Sequence, residues 1–165
     1  MSMILHGNGS DSFSLSIDGY QFPEMSHERD ADWLNVRVRV IRGDQTWEFV
    51  DSCLMVSEFE LLIEWMRSAD IDGPLEDAVF MEDTLRLSKE IVNGEPSIVV
   101  YISKPSIQHH ELPMPPWHGP ETQNDDDFKQ AYSLQYNDMK AAATALVSQL
   151  RNYPSRWDGE QPYAN

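Results

Sequence analysis

The chain of 165 residues carries 28 acidic side chains against 12 basic ones, a formal charge of −16 at pH 7. A surface of that sign repels nucleic acid and anionic membrane and attracts cationic protein. Apolar residues make up 41% of the sequence, with five Trp, six Tyr and six Phe, which is above a disordered composition and argues for a packed interior.

No apolar run approaches the roughly 20 residues that span a bilayer. Residues 1–7 have neither the basic start nor the apolar stretch of a signal peptide. The lone Cys53 can form no internal disulfide. These features predict a single domain over residues 1–165, with a tail from 157 to 165, in the reducing cytoplasm.

The first predicted strand has Phe13, Leu15 and Ile17 alternating with Ser14, Ser16 and Asp18, the period of a half-buried strand. It stops at residues 19–23, and an acidic loop follows through Glu28, Asp30 and Asp32. Leu34, Val36, Val38 and Val40 then mark the clearest strand, with Arg37 and Arg39 on its other face. A turn at residues 42–45 leads to an antiparallel partner carrying Trp47 and Phe49. Ser57 and Glu58–Glu60 read as a capping box in which the serine hydroxyl and the later glutamate satisfy free N–H groups. Phe59, Leu62, Ile63 and Met66 follow at helical spacing, and the helix is expected to end near Ala69. Further strands are predicted around residues 79–82, 84–90 and 97–103, the last two joined by a turn at Asn93-Gly94.

Residues 104–127 hold five of the ten prolines. Proline fixes φ and removes a donor, so this stretch is predicted as a long surface loop without a helix. Strand alternation resumes at Tyr132, Leu134 and Tyr136. Asn137 or Asp138 then caps a final helix with Met139, Ala142, Leu146, Leu150 and Tyr153 on one face, stopped by Pro154. The predicted fold is α+β: a mostly antiparallel sheet of about six or seven strands, with two amphipathic helices on one face, in two layers.

No catalytic signature accompanies these elements. His109, His110 and His118 lie together beside Glu111, but no recognised metal-ligand spacing is present, and loop packing is the expected role. No cofactor or metal is expected. Cys53 is expected to be a small buried hydrophobe, since nothing identifies a base to activate it. Residues 7–9 resemble a phosphate loop only in their glycines, because a strand and not a helix follows. Arg37, Arg39 and Arg42 are expected to pair with neighbouring acids. The candidate partner-binding residues are Trp117, Glu121, Asp125, Asp126 and Asp127: an aromatic anchor near the densest acidic run, in the proline-rich loop.

Residues 15–23 (Leu-Ser-Ile-Asp-Gly-Tyr-Gln-Phe-Pro) lead into Asp32-Trp33-Leu34-Asn35-Val36. Trp47, Ser57-Glu58 and residues 61–65 follow, and residues 150–156 (Leu-Arg-Asn-Tyr-Pro-Ser-Arg) close the series. In this order the segments resemble the WapI-type family of small bacterial immunity proteins, over most of residues 13–156 apart from the proline-rich loop. The resemblance implies a non-enzymatic protein that neutralises a polymorphic bacterial toxin, typically a nuclease effector, by tight binding. It carries over no enzymatic residues. A nuclease cleft is cationic because it holds a polyanion, which suits an acidic inhibitor. Two other readings stand beside this one. One is an assembly module that self-associates through aromatics such as Trp117 or Trp157. The other is a small enzyme with its site in the histidine-containing loop.

Overall fold

The computed structural model describes residues 2–111 and 127–159. Alternation at the start of the chain forms a strand that the sequence reading passes over, β1 (Met3–His6), with Met3 and Leu5 buried and Ile4 and His6 exposed. Strands β2 (Ser12–Tyr20), β3 (Trp33–Arg42) and β4 (Gln45–Met55) follow as consecutive antiparallel neighbours. Their register places Leu5, Phe13, Val40 and Trp47 in one cross-strand row and Met3, Leu15, Val38 and Phe49 in the next. All eight side chains are buried. A bulge between Ile17 and Gly19 interrupts β2, and Gly19 takes φ 147° there, a backbone state that a Cβ disfavours.

Helix α1 (Val56–Ser68) starts two residues earlier than the capping box predicts. Met55, not Ser57, is the N-cap, and Glu58, not Glu60, accepts its N–H at 2.9 Å. The box is therefore shifted by two residues, and both of its members change. After α1 come β5 (Asp77–Ala78), β6 (Leu85–Val92) and β7 (Glu95–Ile102). The hairpin between β6 and β7 turns at Asn93 and Gly94, both with positive φ, 51° and 80°, as a two-residue turn between twisted strands requires.

The expectation of no helix within residues 104–127 is corrected by α2 (Lys104–His109). Pro105 lies in its first turn, where the missing N–H is an orphan in any case, and the Ser103 hydroxyl accepts the Ser106 N–H at 3.4 Å. Strand β8 (Phe128–Ser133) then pairs with β7, and Leu134–Tyr136 form a 3-10 turn instead of continuing the strand. Helix α3 (Met139–Leu150) is capped by Asp138, which accepts the Ala141 N–H at 3.0 Å. Asn137 serves elsewhere: its amide exchanges hydrogen bonds with the His6 backbone, 2.7 and 2.9 Å, as a paired strand residue would.

The α+β class holds, but one sheet of six or seven strands does not. The strands form two antiparallel sheets of four, β1-β2-β3-β4 and β5-β6-β7-β8. The physical reason is that the apolar face of the first sheet is shared between two covers. The row ending in Phe13 and Trp47 meets β8, with Phe13–Tyr132 and Trp47–Phe128 ring centroids 6.3 and 5.6 Å apart. Helices α1 and α3 pack on each other, and α3 also packs on β1 and β2. Gln149 of α3 accepts the Ile17 N–H at 2.8 Å, so a helix side chain closes β2 at its bulge. One contiguous core includes residues of both sheets and both longer helices.

Candidate partner-binding surface

The acidic run predicted as a contact surface is described only at its end. Trp117, Glu121, Asp125 and Asp126 lie outside the described residues, as does His118. Asp127 immediately precedes β8 and accepts the Lys104 N–H at the start of α2, 2.7 Å. It thus caps a short helix and fixes where the proline-rich segment returns to the sheet. Around it, Glu82, Asp83, Arg86, Tyr101 and Pro105 line a concavity of about 210 Å³.

Tyr101 stitches the wall of this concavity. The Arg86 guanidinium sits 3.7 Å from its ring centroid, and its hydroxyl donates to Glu90 at 2.5 Å. Burial first, then the bond to Glu90, pushes the hydroxyl up to about 12, so it stays a donor at neutral pH. Arg86 also pairs with Asp77 at 3.1 Å. Glu82 and Asp83 have no ion pair among the described residues, and the concavity keeps a negative character.

The basic stripe pairs with acids as its position on β3 predicts. Arg37 bridges Asp18 at 2.6 Å and Glu48 at 2.5 Å, and Arg39 lies 3.6 Å from Glu48. The hydrogen bonds to Asp18 and then Glu48 raise the Arg37 pKa further. Exposed pairs of this kind add little stability, but they cancel charge locally and leave the −16 to be carried by other faces.

Of the two described histidines of this group, His110 packs against the first sheet. His110 lies 2.8 Å from Asp51 through Nε2 and stacks on Phe49 at 4.7 Å, with His109 edge-on to it. Among the described residues no three His, Cys, Asp or Glu side chains are grouped to hold a metal ion. Cys53 is buried on β4, and burial, with Asp51 nearby, pushes its thiol well above the usual range. Reactivity follows the thiolate. Folded protein at pH 8 is therefore expected to leave dithionitrobenzoate unreacted, while urea-unfolded protein releases one equivalent. Labelling of the folded protein at the rate of a free thiol would contradict this.

The segments that carry the family resemblance meet in space although about 130 positions separate them. Asp32, 3% exposed, accepts the Arg156 N–H at 2.7 Å, the Trp157 N–H at 3.2 Å and the Ser155 hydroxyl at 2.5 Å. The Arg156 guanidinium donates to the carbonyls of Phe22, Pro23 and Ala31 and lies 3.6 Å from the Tyr20 ring centroid. The Tyr20 hydroxyl donates to the Pro154 carbonyl at 2.6 Å; burial raises its pKa, against the pull of Arg156. Trp157, half-buried, is held at its backbone by this cluster.

The model of the WapI-like immunity protein family matches residues 3–154. The chain belongs to this family. No curated protein and no solved structure matches it. Membership suggests a toxin-immunity role. The family match runs from β1 to Pro154, so both sheets and the longer helices are family features. The match stops just short of Ser155 and Arg156, whose contacts with Asp32 tie the chain end onto the Gly-Tyr-Gln-Phe-Pro step. This cluster fastens the chain end to the first sheet. No helix in the described residues is long and apolar enough to cross a membrane.

Sequence reasoning missed one other arrangement. Glu58, placed for the start of α1, also accepts the Met81 N–H at 2.6 Å, and so moors the segment after β5 against the helix. The strand expected over residues 79–82 is corrected here: the strand formed is β5 (Asp77–Ala78), and Val79 and Met81 beyond it are exposed, in a stretch, residues 70–83, of six acids and no base.

Proposed function

We propose that this protein is a cytoplasmic immunity protein that neutralises a basic toxin domain, a nuclease, by occupying its cationic cleft. The observation that carries the reading is the family match over residues 3–154. The charge of −16 supports it, because a domain that must hold RNA or DNA is cationic where it works. Electrostatic attraction of that kind raises association to about 10⁸–10⁹ M⁻¹s⁻¹ at low salt. On this reading the contact includes Trp117, Glu121, Asp125, Asp126 and Asp127, with Glu82 and Asp83 beside Asp127. Trp117 supplies the aromatic anchor, and the acids act chiefly on the rate of encounter.

Co-expression with the toxin encoded beside its gene tests the proposal. Cells carrying both are expected to survive and to keep intact nucleic acid, and the association rate of the purified pair is expected to fall at least tenfold between about 50 and 500 mM salt. Unaltered killing in the presence of folded protein would remove the reading. Protection with intact nucleic acid in cells given the toxin alone would remove its nuclease part.

A further inference from the structure

The connection from α1 to β6 departs from the polar-outside pattern of the rest of the described surface. Ile71, Leu75, Val79 and Met81 are each more than half exposed, among six acids and no base in residues 70–83. With Leu61 on α1 they make five of the ten large apolar side chains exposed among the described residues. Single exposed apolar residues are ordinary, but contiguous ones rimmed by charge mark interaction sites.

Two of the five, Leu61 and Val79, line one groove. Leu61, Glu64 and Trp65 on α1, with Glu76, Asp77 and Val79 from the connection, line a space of about 390 Å³. Leu61 is 64% exposed and Val79 66%. Val79 and Phe80 also border the concavity of Glu82, Asp83 and Asp127, so the two depressions adjoin. The groove is held in shape from beneath. Glu58 accepts the Met81 N–H at 2.6 Å, and the buried Lys89 ammonium donates to the carbonyls of Asp70 and Gly73.

The nearby cations are all engaged: Arg67 with Glu64 at 2.5 Å, Arg86 with Asp77 at 3.1 Å, and Lys89 under the loop. Glu76, Glu82 and Asp83 have no ion pair among the described residues. An apolar centre with an unpaired acidic rim matches the anatomy of an interface whose partner brings the opposite charge. The same rim repels nucleic acid, anionic lipid and a second acidic copy of this chain.

We infer that this groove is the toxin-docking site, taking an apolar side chain flanked by lysine or arginine between Leu61 and Val79. The inference rests on the toxin-binding reading given above and extends its contact from Asp127, Glu82 and Asp83 to the adjoining groove. Its test uses a catalytically inactivated form of the toxin encoded beside the gene. Leu61→Asp and Val79→Asp remove the apolar contact and add one acidic charge, so weaker binding to a cationic partner cannot come from lost acidity. Both sites are exposed, so melting is expected to stay within about 2 °C of wild type. Each is expected to weaken affinity at least about thirtyfold, mainly through faster dissociation. Ile4→Asp and Val50→Asp, on the outward face of the first sheet, are expected to stay within about threefold.

Wild-type affinity retained in both Leu61→Asp and Val79→Asp would overturn the groove while leaving toxin binding intact. Failure of the wild-type protein to bind would remove the toxin reading and this inference with it. Concentration-dependent dimerisation of the protein alone, abolished by Val79→Asp, would assign the face to a second copy and overturn the proposal.

Discussion

Asp32→Ala is expected to lower the unfolding free energy by about 3–4 kcal/mol, because it strips a buried carboxylate from two backbone N–H groups and a hydroxyl at once. For a chain of this length that is a fall in Tm of about 6–16 °C. The direction follows from which groups are orphaned. The N–H groups of Arg156 and Trp157 and the Ser155 hydroxyl all donate to this one side chain. Asp32→Asn keeps an acceptor oxygen of the same shape and is expected to recover more than half of the loss. Arg156→Lys keeps the charge but not the planar fork that reaches three carbonyls and covers Tyr20, and is expected to cost about 1.5–2 kcal/mol. Because both residues fasten the same chain end, Asp32→Ala and Arg156→Lys are expected to be less than additive. Faster hydrogen exchange at the His27 amide, which donates to the Arg156 carbonyl at 3.1 Å, would report release of that end. A melting point for Asp32→Ala within about 1 °C of wild type would remove the cluster's structural role.

The residues of this cluster could be read from the sequence, but their meeting could not. Tyr20, Asp32 and Arg156 all fall in segments that resemble the family, yet no period, spacing or charge pattern links position 20 to position 156. Local signals served better. Asp138 caps α3 where the sequence puts a cap, and Arg37 finds Asp18 and Glu48 where strand pairing puts acids. Glu58 shows the limit of such signals. Its place at the helix start is local and legible, whereas its bond to Met81 depends on where the chain returns 23 positions later. The groove beside it was not legible: a strand was expected over residues 79–82, whereas Val79 and Met81 lie exposed after the two-residue β5.

The fold was legible to the same depth. Alternation tells which face of a strand is buried and says nothing about what covers it. Assigning both amphipathic helices to that face leaves no reason for a second sheet, which is why one sheet was expected. The two aromatic pairs Phe13–Tyr132 and Trp47–Phe128 decide otherwise, and each joins residues more than 80 positions apart. β1 was missed because four residues offer only two turns of the alternation.

Phe13 therefore distinguishes the two architectures. Phe13→Ala is expected to cost about 3–5 kcal/mol, the transfer of a buried ring plus the cavity it leaves, against less than about 0.5 kcal/mol for Val50→Ala on the outward face of the same sheet. Size alone does not separate a sheet partner from a helix partner, but coupling does. A double-mutant cycle of Phe13→Leu with Tyr132→Leu is expected to give about 0.5–1.5 kcal/mol of interaction, as tilted ring pairs do. The Tyr132 hydroxyl has no partner among the described residues, and burial raises its pKa, so the contact rests on the ring. Tyr132→Phe in the same cycle should accordingly retain the coupling. If Phe13 and Tyr132 proved additive within about 0.3 kcal/mol, the second sheet would not be what covers this row. The core would then have to close through the helices, as alternation alone implies.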